Sequence, residues 1–286
     1  MPGSPVTTIP DAGQELKILP LGDFTPYDFQ KPHRHEYFEF FIFDTGGGAH
    51  FIDFVEHPIK TGSVHIVFPR QIHLVKRSAA ATGHVLICSR HFMNLLDKIF
   101  YTQLLNHCYT APCISPDQDT FAELTRLVPR LEAELKTGGQ LARQLSRNYL
   151  SIFLSQCIRH SPRQEEPIST SYSLHDLEIY RRFTSLLDEH FLDKQQVSFY
   201  ASALSVTAKV LNNCIRRVVD KTCAELIQER SLLEAKRLLL YTDESIKEIA
   251  FRLNFKDSSY FTRFFARMEH KTPKEFKQFW EEKYHS

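Results

Sequence analysis

The stretch that most constrains this chain runs from Ser245 to Phe276, SIKEIAFRLNFKDSSYFTRFFARMEHKTPKEF, whose spacing predicts two short helices joined by a tight turn. In its second half Phe261, Phe264, Phe265 and Met268 recur at i, i+3, i+4 and i+7, one apolar stripe of an amphipathic helix. Tyr260 is grouped with that inward stripe. Opposite stand Ser258, Ser259, Thr262, Arg263 and Arg267, small or forked donors with no acidic residue among them. In the first half Ser245 and Glu248 form an S-x-x-E capping box, opening a helix that buries Ile246, Ile249, Ala250 and Leu253. The turn between the helices is Asn254-Phe255-Lys256-Asp257: asparagine tolerates positive φ, and Asp257 is placed to cap the second helix. Helix, tight turn and a second helix with a polar, basic outer face make a helix-turn-helix pattern.

The pattern occurs twice. Ser198 to Asp220 buries Ala201 and Leu204 in a first helix, turns at Ser205-Val206-Thr207, and lays Ala208, Leu211, Ile215 and Val218 along the inner stripe of a second. The outer face of that second helix offers Lys209, Asn212, Asn213, Arg216 and Arg217. Between the copies, Ala224 to Tyr241 has no Gly or Pro, is rich in strong helix formers, and reads as one continuous spacer helix. A single amphipathic helix with a polar face is ordinary; two copies at a set separation have no common structural use, and point to DNA.

The motifs A-x2-L-x-V-x4-L in the first copy, E-A-K-R-L-L in the spacer, and I-x2-I-A-x3-N-F-x-D-x-S-Y-F-x-R-x-F followed by T-P-K-E-F in the second resemble the AraC/XylS family of bacterial transcription regulators. The resemblance implies that both second helices enter successive major grooves of double-stranded DNA. It puts Lys209, Asn212 and Asn213 at the reading positions of the first helix, and Ser258, Ser259, Thr262 and Arg263 at those of the second. Within those positions, Arg263 can fork to guanine and Asn212 or Asn213 can pair with adenine, while Arg216, Arg217, Arg267 and Lys256 are assigned to phosphates. It also implies contact with RNA polymerase and the role of a transcription activator, although whether transcription rises or falls stays open. Where the family carries glycine after a helix this chain has Asp220, Asn254 and His270, and Cys223 replaces a usual proline. Asp, Asn and His are enriched at positive φ, so the turns are expected to survive.

Charge does not announce a nucleic-acid partner. From Leu174 to the end there are 19 Lys and Arg against 17 Asp and Glu, a net of 19 − 17 = +2; the case rests on where the charges lie, not on their sum. With 42% hydrophobic and 24% charged residues the composition is that of a folded globular chain. No unbroken apolar run is long enough to span a membrane, and Met1 to Glu15 lacks the basic start and apolar stretch of a signal peptide, so a cytoplasmic location is expected. The six cysteines form no C-x-x-C pair and are expected to be reduced core thiols.

The rest of the chain gives an α+β two-domain architecture. Residues 1 to about 110 read as strands: Tyr37 to Phe43 is almost wholly apolar and aromatic, Gly46-Gly47-Gly48 is taken as a hairpin turn, His50 to Val55 alternates, and Val64 to Phe68 is stopped by Pro69. Strands in succession suggest a small barrel or sandwich. P-H-R-H-E, the triple glycine and GSVHIVFPRQIH resemble the cupin-like effector domain of many such regulators, which implies a β-barrel with a helical appendage. From Asp117, Phe121, Leu124, Val128, Leu131 and Leu135 form a heptad-like seam that Pro129 should break or restart, and a second helix follows Gly138-Gly139. Two readings of these helices stand level: they make a homodimer, or they pack against their own barrel. The domains are therefore drawn as 1–160 for effector binding and dimerisation, 161–173 as a linker, and 174–286 as the all-α DNA-binding domain with two helix-turn-helix motifs.

His33, His35 and Glu39 share strand parity, so their side chains are expected on one face, with His73 following a later turn. Together with the aromatic walls Tyr37 and Phe41 they are assigned to the pocket of a small-molecule effector. H-x-H-x3-E plus a distant histidine is also the ligand layout of metal-dependent cupin enzymes. Pro69 to His73 departs from that layout, so the rival reading, a metal-dependent cupin enzyme or metal sensor fused to a DNA-binding domain, is set second. Neither metal nor cofactor is assigned. No nucleophile with its base and no Gly-rich phosphate cradle before a helix is present, so no enzyme activity is assigned.

Overall fold

The computed structural model describes residues 6–7, 15–21, 32–96, 104, 108, 111–161 and 172–285, and the chain divides into two compact units, one within Ser4–Ile168 and one within Ser169–Ser286. The 161–173 linker drawn from the sequence lies mostly outside the described residues.

The first unit is sheet-rich. Its strands are β1 (Val6–Thr7), β2 (Leu16–Pro20), β3 (Arg34–His35), β4 (Phe38–Thr45), β5 (Gly48–Ile52), β6 (Val55–Pro58), β7 (Ser63–Val67), β8 (His73–Arg77), β9 (Thr82–Cys88) and β10 (Cys113–Ile114). They make a five-stranded sheet in the order β10-β7-β4-β9-β2, a three-stranded sheet in the order β6-β5-β8, and the small parallel pair β1-β3. Among the described residues these sheets do not close on one another, so the expected cupin-like barrel is an open two-sheet arrangement.

Strand β4 shows why its sequence is apolar throughout. Phe38, Phe40 and Ile42 point to one face and join Val64, Ile66 and Leu86 in a core with residues of the helices α2 (Gln118–Thr137) and α3 (Gly139–Arg159). Phe41 and Phe43 point to the other face and pack with Ile52, Val67, Val75 and Val85, which spans both sheets. A strand covered on both faces has no reason to alternate in polarity. A short helix, α1 (Arg90–Asn94), follows β9 with Ser89 capping it.

Three expectations are corrected here. The triple glycine is no hairpin turn: β4 and β5 do not pair, and the chain crosses between sheets at this point. A Cβ on Gly46 would lie 2.4 Å from the Thr61 nitrogen, so the crossing requires a bare backbone. His50–Val55 is not one strand either; Asp53 and Phe54 both take positive φ in a two-residue turn pairing Ile52 with Val55. That turn lacks Gly or Asn, but the Asp53 carboxylate holds it by accepting from Gln71 Nε2 at 3.0 Å and from the Ile72 N–H at 3.2 Å. Finally, Pro129 sits inside an unbroken α2. Leu124, Leu127, Val128 and Leu131 are all buried on either side of it, and that burial offsets the roughly 3 kcal/mol a mid-helix proline costs. Phe121, Leu124, Val128 and Leu131 of the seam pack into the core under the five-stranded sheet, whereas Leu135 stays exposed.

The second unit is all helix: α4 (Leu174–His190), α5 (Val197–Ala203), α6 (Ala208–Val219), α7 (Cys223–Tyr241), α8 (Ile246–Arg252), α9 (Ser258–Glu269) and α10 (Pro273–His285). The capping box at Ser245 and Glu248 is formed, and Asp257 accepts from the Tyr260 N–H at 2.7 Å. Asp220, Asn254 and His270 all adopt positive φ, so each helix end turns without glycine; Ser205 does the same in the first turn. The spacer α7 begins at Cys223, with a capping box between Thr222 and Glu225. All six cysteines are free thiols.

Candidate DNA-binding and ligand-binding sites

Each second helix of the duplicated motif buries one stripe and exposes the other. In α6 Leu211, Cys214, Ile215 and Val218 are buried, and in α9 Phe261, Phe264 and Phe265 are buried. Lys209, Asn213 and Arg216 are exposed on α6, as are Lys256, Ser259, Arg263 and Arg267 on and beside α9; Ser258 and Thr262 are half-buried at its edge. The Thr262 hydroxyl donates to the Ser258 carbonyl at 2.8 Å.

Two residues expected to meet DNA are committed elsewhere. The Asn212 carboxamide accepts from the Cys223 N–H at 2.9 Å and donates to the Ala208 carbonyl at 3.1 Å. Arg217 grips the Asp176 carboxylate of α4, with Nε at 3.1 Å from Oδ2. Burial alone would raise the Asp176 carboxyl; the hydrogen bonds from Arg217, Cys214 and Ser173 outweigh it and hold the group well below the usual carboxylate range. Neither commitment is visible from helical periodicity, because both partners are remote in sequence. Tyr260, in turn, is not core: it is 54% exposed on the outer face of α9, and Val210 is 41% exposed on α6. Both present apolar surface beside the exposed polar residues of these helices.

The spacer holds the two reading helices. Ile227, Ala235, Leu238 and Leu239 of α7 are buried, and the polar residues Glu234 and Arg237 are buried with them. Arg230 binds Asp188 at 3.0 Å and Glu234 at 3.1 Å, and its guanidinium lies 3.7 Å over the Phe191 ring. Asn212 ties α6 to the start of α7, and the Lys236–Glu269 ion pair ties α7 to the end of α9. Gln195 donates to the Leu253 carbonyl at 2.8 Å, joining the loop after α4 to the turn of the second motif.

The first unit contains a different kind of site. His35, Glu39 and His73 converge with His35 Nε2 and His73 Nε2 3.1 Å apart, and with Glu39 Oε2 3.3 Å from the former and 3.5 Å from the latter. All three are at most 1% exposed. They come from β3, β4 and β8, so the group bridges the two larger sheets. His35 Nδ1 lies 2.8 Å from the Tyr37 carbonyl, and the Tyr37 ring stacks on the His35 ring at 4.1 Å. Phe41 lies edge-on to His73 at 5.8 Å. The expected effector residues Tyr37 and Phe41 are thus the apolar walls of the cluster. His33 is buried beside it, its ring 4.2 Å from that of His73, but it is not one of the converging three.

Two buried histidines extend the cluster and were not picked out from the sequence. His50 Nε2 lies 3.2 Å from His73 Nδ1, and His50 Nδ1 lies 3.2 Å from His65 Nδ1. Strand parity carried a signal for His65, which shares a face with Ser63 and Val67, whereas His50 becomes a neighbour only when β5 and β7 face each other. Burial pushes the His65 imidazole down to about 3, with the neighbouring His57 adding to it; burial and the surrounding histidines hold His50 and His73 well below the ordinary histidine range. Near neutral pH these three rings are uncharged, the form in which imidazole offers a lone pair.

A helix-turn-helix domain family matches residues 200–278, which takes in both reading helices. The transcriptional activator RhaR of Mannheimia succiniciproducens is 24% identical over 246 residues, covering 86% of each chain. The activator RhaS of Escherichia fergusonii is 23% identical over 271 residues, covering 91% of this chain and 90% of its own. Among solved structures, fatty-acid-bound ToxT of Vibrio cholerae is similar over 91% of this chain and 93% of its own at 18% identity and a TM-score of 0.39. With two capped reading helices on one buried spacer and the domain match across both, the chain carries a helix-turn-helix DNA-binding domain and is similar along most of its length to transcriptional activators.

Proposed function

We propose that this regulator reads DNA with Lys209 and Asn213 on α6 and with Ser259 and Arg263 on α9, and that it activates transcription in response to an effector sensed by the His/Glu cluster of its first unit. The observation that carries the reading is the tethering of both reading helices to one spacer while their donor faces stay exposed. Arg216, Lys256 and Arg267 serve as phosphate contacts, with Ser258 and Thr262 at the edge of the second reading face. The 19-residue spacer is about 28 Å long at about 1.5 Å per residue, whereas major-groove faces repeat about every 34 Å. A spacer shorter than the repeat favours bent DNA. Gel mobility of fragments with the binding site permuted along their length tests this, and unbent DNA protected at both half-sites would refute it.

The cluster is the reading's sensing centre because His33, His35, Glu39 and His73, with Tyr37 and Phe41 around them, bridge two sheets whose spacing a bound effector can set. On this reading the chain acts through RNA polymerase in the cytoplasm, in keeping with its similarity to transcriptional activators. Homodimerisation is supported by Leu141 and Ile152 on α3, 73% and 50% exposed and eleven positions apart, hence on one helical face. Sedimentation of the full chain with and without Ile152→Asp tests it; a monomer at micromolar concentration refutes it. No helix among the described residues is long and apolar enough to cross a membrane.

A further inference from the structure

We propose that His35, Glu39 and His73 bind a divalent first-row transition-metal ion, and that this ion is the signal the regulator senses. The inference deepens the effector reading above and rests on it for its second half.

The three donor atoms form a nearly equilateral triangle with edges of 3.1, 3.3 and 3.5 Å. Ligand atoms held about 2.0–2.1 Å from a tetrahedral zinc ion stand about 3.3 Å apart, so the triangle is one face of such a coordination shell. The set of two imidazoles and a carboxylate, with no thiolate, suits zinc, cobalt, nickel, iron or manganese rather than a soft ion.

The tautomer of His35 fits the same purpose. A carbonyl can only accept, so the contact with the Tyr37 carbonyl puts the His35 proton on Nδ1 and leaves the Nε2 lone pair facing Glu39 and His73. His73 binds through Nε2 when its Nδ1–H donates to His50 Nε2, and His50 Nδ1–H then donates to His65 Nδ1. Histidine ligands are ordinarily oriented by such outer partners, which fix the tautomer and raise ligand basicity.

Size separates an ion from an organic effector. The converging atoms lie too close together to admit a molecule between them, and Phe41, Val67 and Val75 pack the adjoining interior. An ion fits inside the triangle without moving either sheet apart. Because Glu39 belongs to the five-stranded sheet and His73 to the three-stranded one, the ion clamps the two together.

The test uses the full chain, stripped with chelator and titrated with Zn(II), Co(II), Ni(II) and Mn(II) by calorimetry and elemental analysis. The expected result is one ion retained per chain after dialysis, with cobalt giving visible bands but no thiolate charge-transfer band. Glu39→Gln, which keeps side-chain volume, should weaken binding more than about a hundredfold, and the outer-partner variant His65→Asn by about ten- to a hundredfold. Failure of the wild-type chain to retain any of the four ions overturns the proposal, whatever the variants do. A cobalt spectrum with thiolate bands, or unchanged affinity in Glu39→Gln, overturns the ligand set. The sensing half is read separately, as binding of the stripped and the loaded chain to a duplex selected from a random-sequence pool. A shift of about fivefold or more is expected. Equal affinity and equal reporter transcription in both states would overturn the ion as signal. An organic compound that shifts DNA affinity where no metal binds would overturn the metal and leave the effector reading intact.

Discussion

The Asn212 carboxamide oxygen accepts the backbone N–H of Cys223 at 2.9 Å, fastening the first reading helix to the residue that starts the spacer. The side chain is half-buried and its amide also donates to Ala208, so its polar groups are used within the domain. Asn212→Ala is therefore expected to destabilise the second unit by about 1–3 kcal/mol, by leaving an N–H at the spacer start without its acceptor. It should weaken binding to all duplexes alike. Trp280, the chain's single tryptophan, lies in this unit and reports its unfolding by fluorescence. A change of preference at one base position, with unaltered stability, would show that Asn212 reads DNA after all.

On the proposed reading, Arg263 contacts a base and Arg216 a phosphate, and substitutions at the two should differ. Arg263→Ala should relax preference at one base position by about 1–3 kcal/mol, because a forked guanidinium matches the guanine edge. Arg216→Ala should lower affinity for every sequence and flatten the dependence on salt by about one phosphate contact. Mobility-shift titrations over a salt series, on a selected site and its single-base variants, check both. Equal responses from the two variants would show the assignment to be wrong.

The Asp176–Arg217 pair makes the second unit sensitive to acid. The folded carboxyl titrates below its unfolded value, so its stabilisation is fully present above the ordinary aspartate range near pH 4 and is lost as pH falls through the lower, folded value. Asp176→Asn should lower the Tm at neutral pH and shrink the further loss on acidification. A variant whose Tm falls with acid as steeply as the parent's would remove Asp176 from the account.

His65 gives the first unit a different pH window. Folded, it titrates at about 3; unfolded, near the ordinary value of 6.5. Between these values the unfolded chain holds a proton that the folded chain refuses, so stability falls as pH drops below about 6.5 and goes on falling toward the folded value. Calorimetric scans from neutral to mildly acidic pH, with His65→Gln for comparison, should show a shallower decline in the variant. Parallel slopes would place the acid response in other groups.

Gly83 offers a test of the sheet. It takes φ +149°, and a Cβ there would sit 1.9 Å from the Ile42 carbonyl oxygen, where Gly83 pairs with Phe43 beside the irregularity near the end of the β4–β9 ladder. Gly83→Ala should lower the Tm of the first unit through both strain and a displaced backbone. A Tm unchanged by the substitution would mean that the strands part without cost.

Sequence alone determined the duplicated helix-turn-helix, down to the capping box at Ser245, the cap at Asp257 and the helix ends at Asp220, Asn254 and His270. Those features depend on neighbours within four residues, and local spacing encodes them directly. The tertiary structure decided what depends on remote partners: that Pro129 stays within a helix held by burial, that Tyr260 faces outward, and that Asn212 and Arg217 are claimed by Cys223 and Asp176. It also decided the cluster. Parity puts His33, His35 and Glu39 on one face as if along a single strand, whereas His35 and Glu39 lie on separate strands, β3 and β4, and only the facing of two sheets brings His73, His50 and His65 to within hydrogen-bond reach, because strand pairing sets distances that no local pattern records.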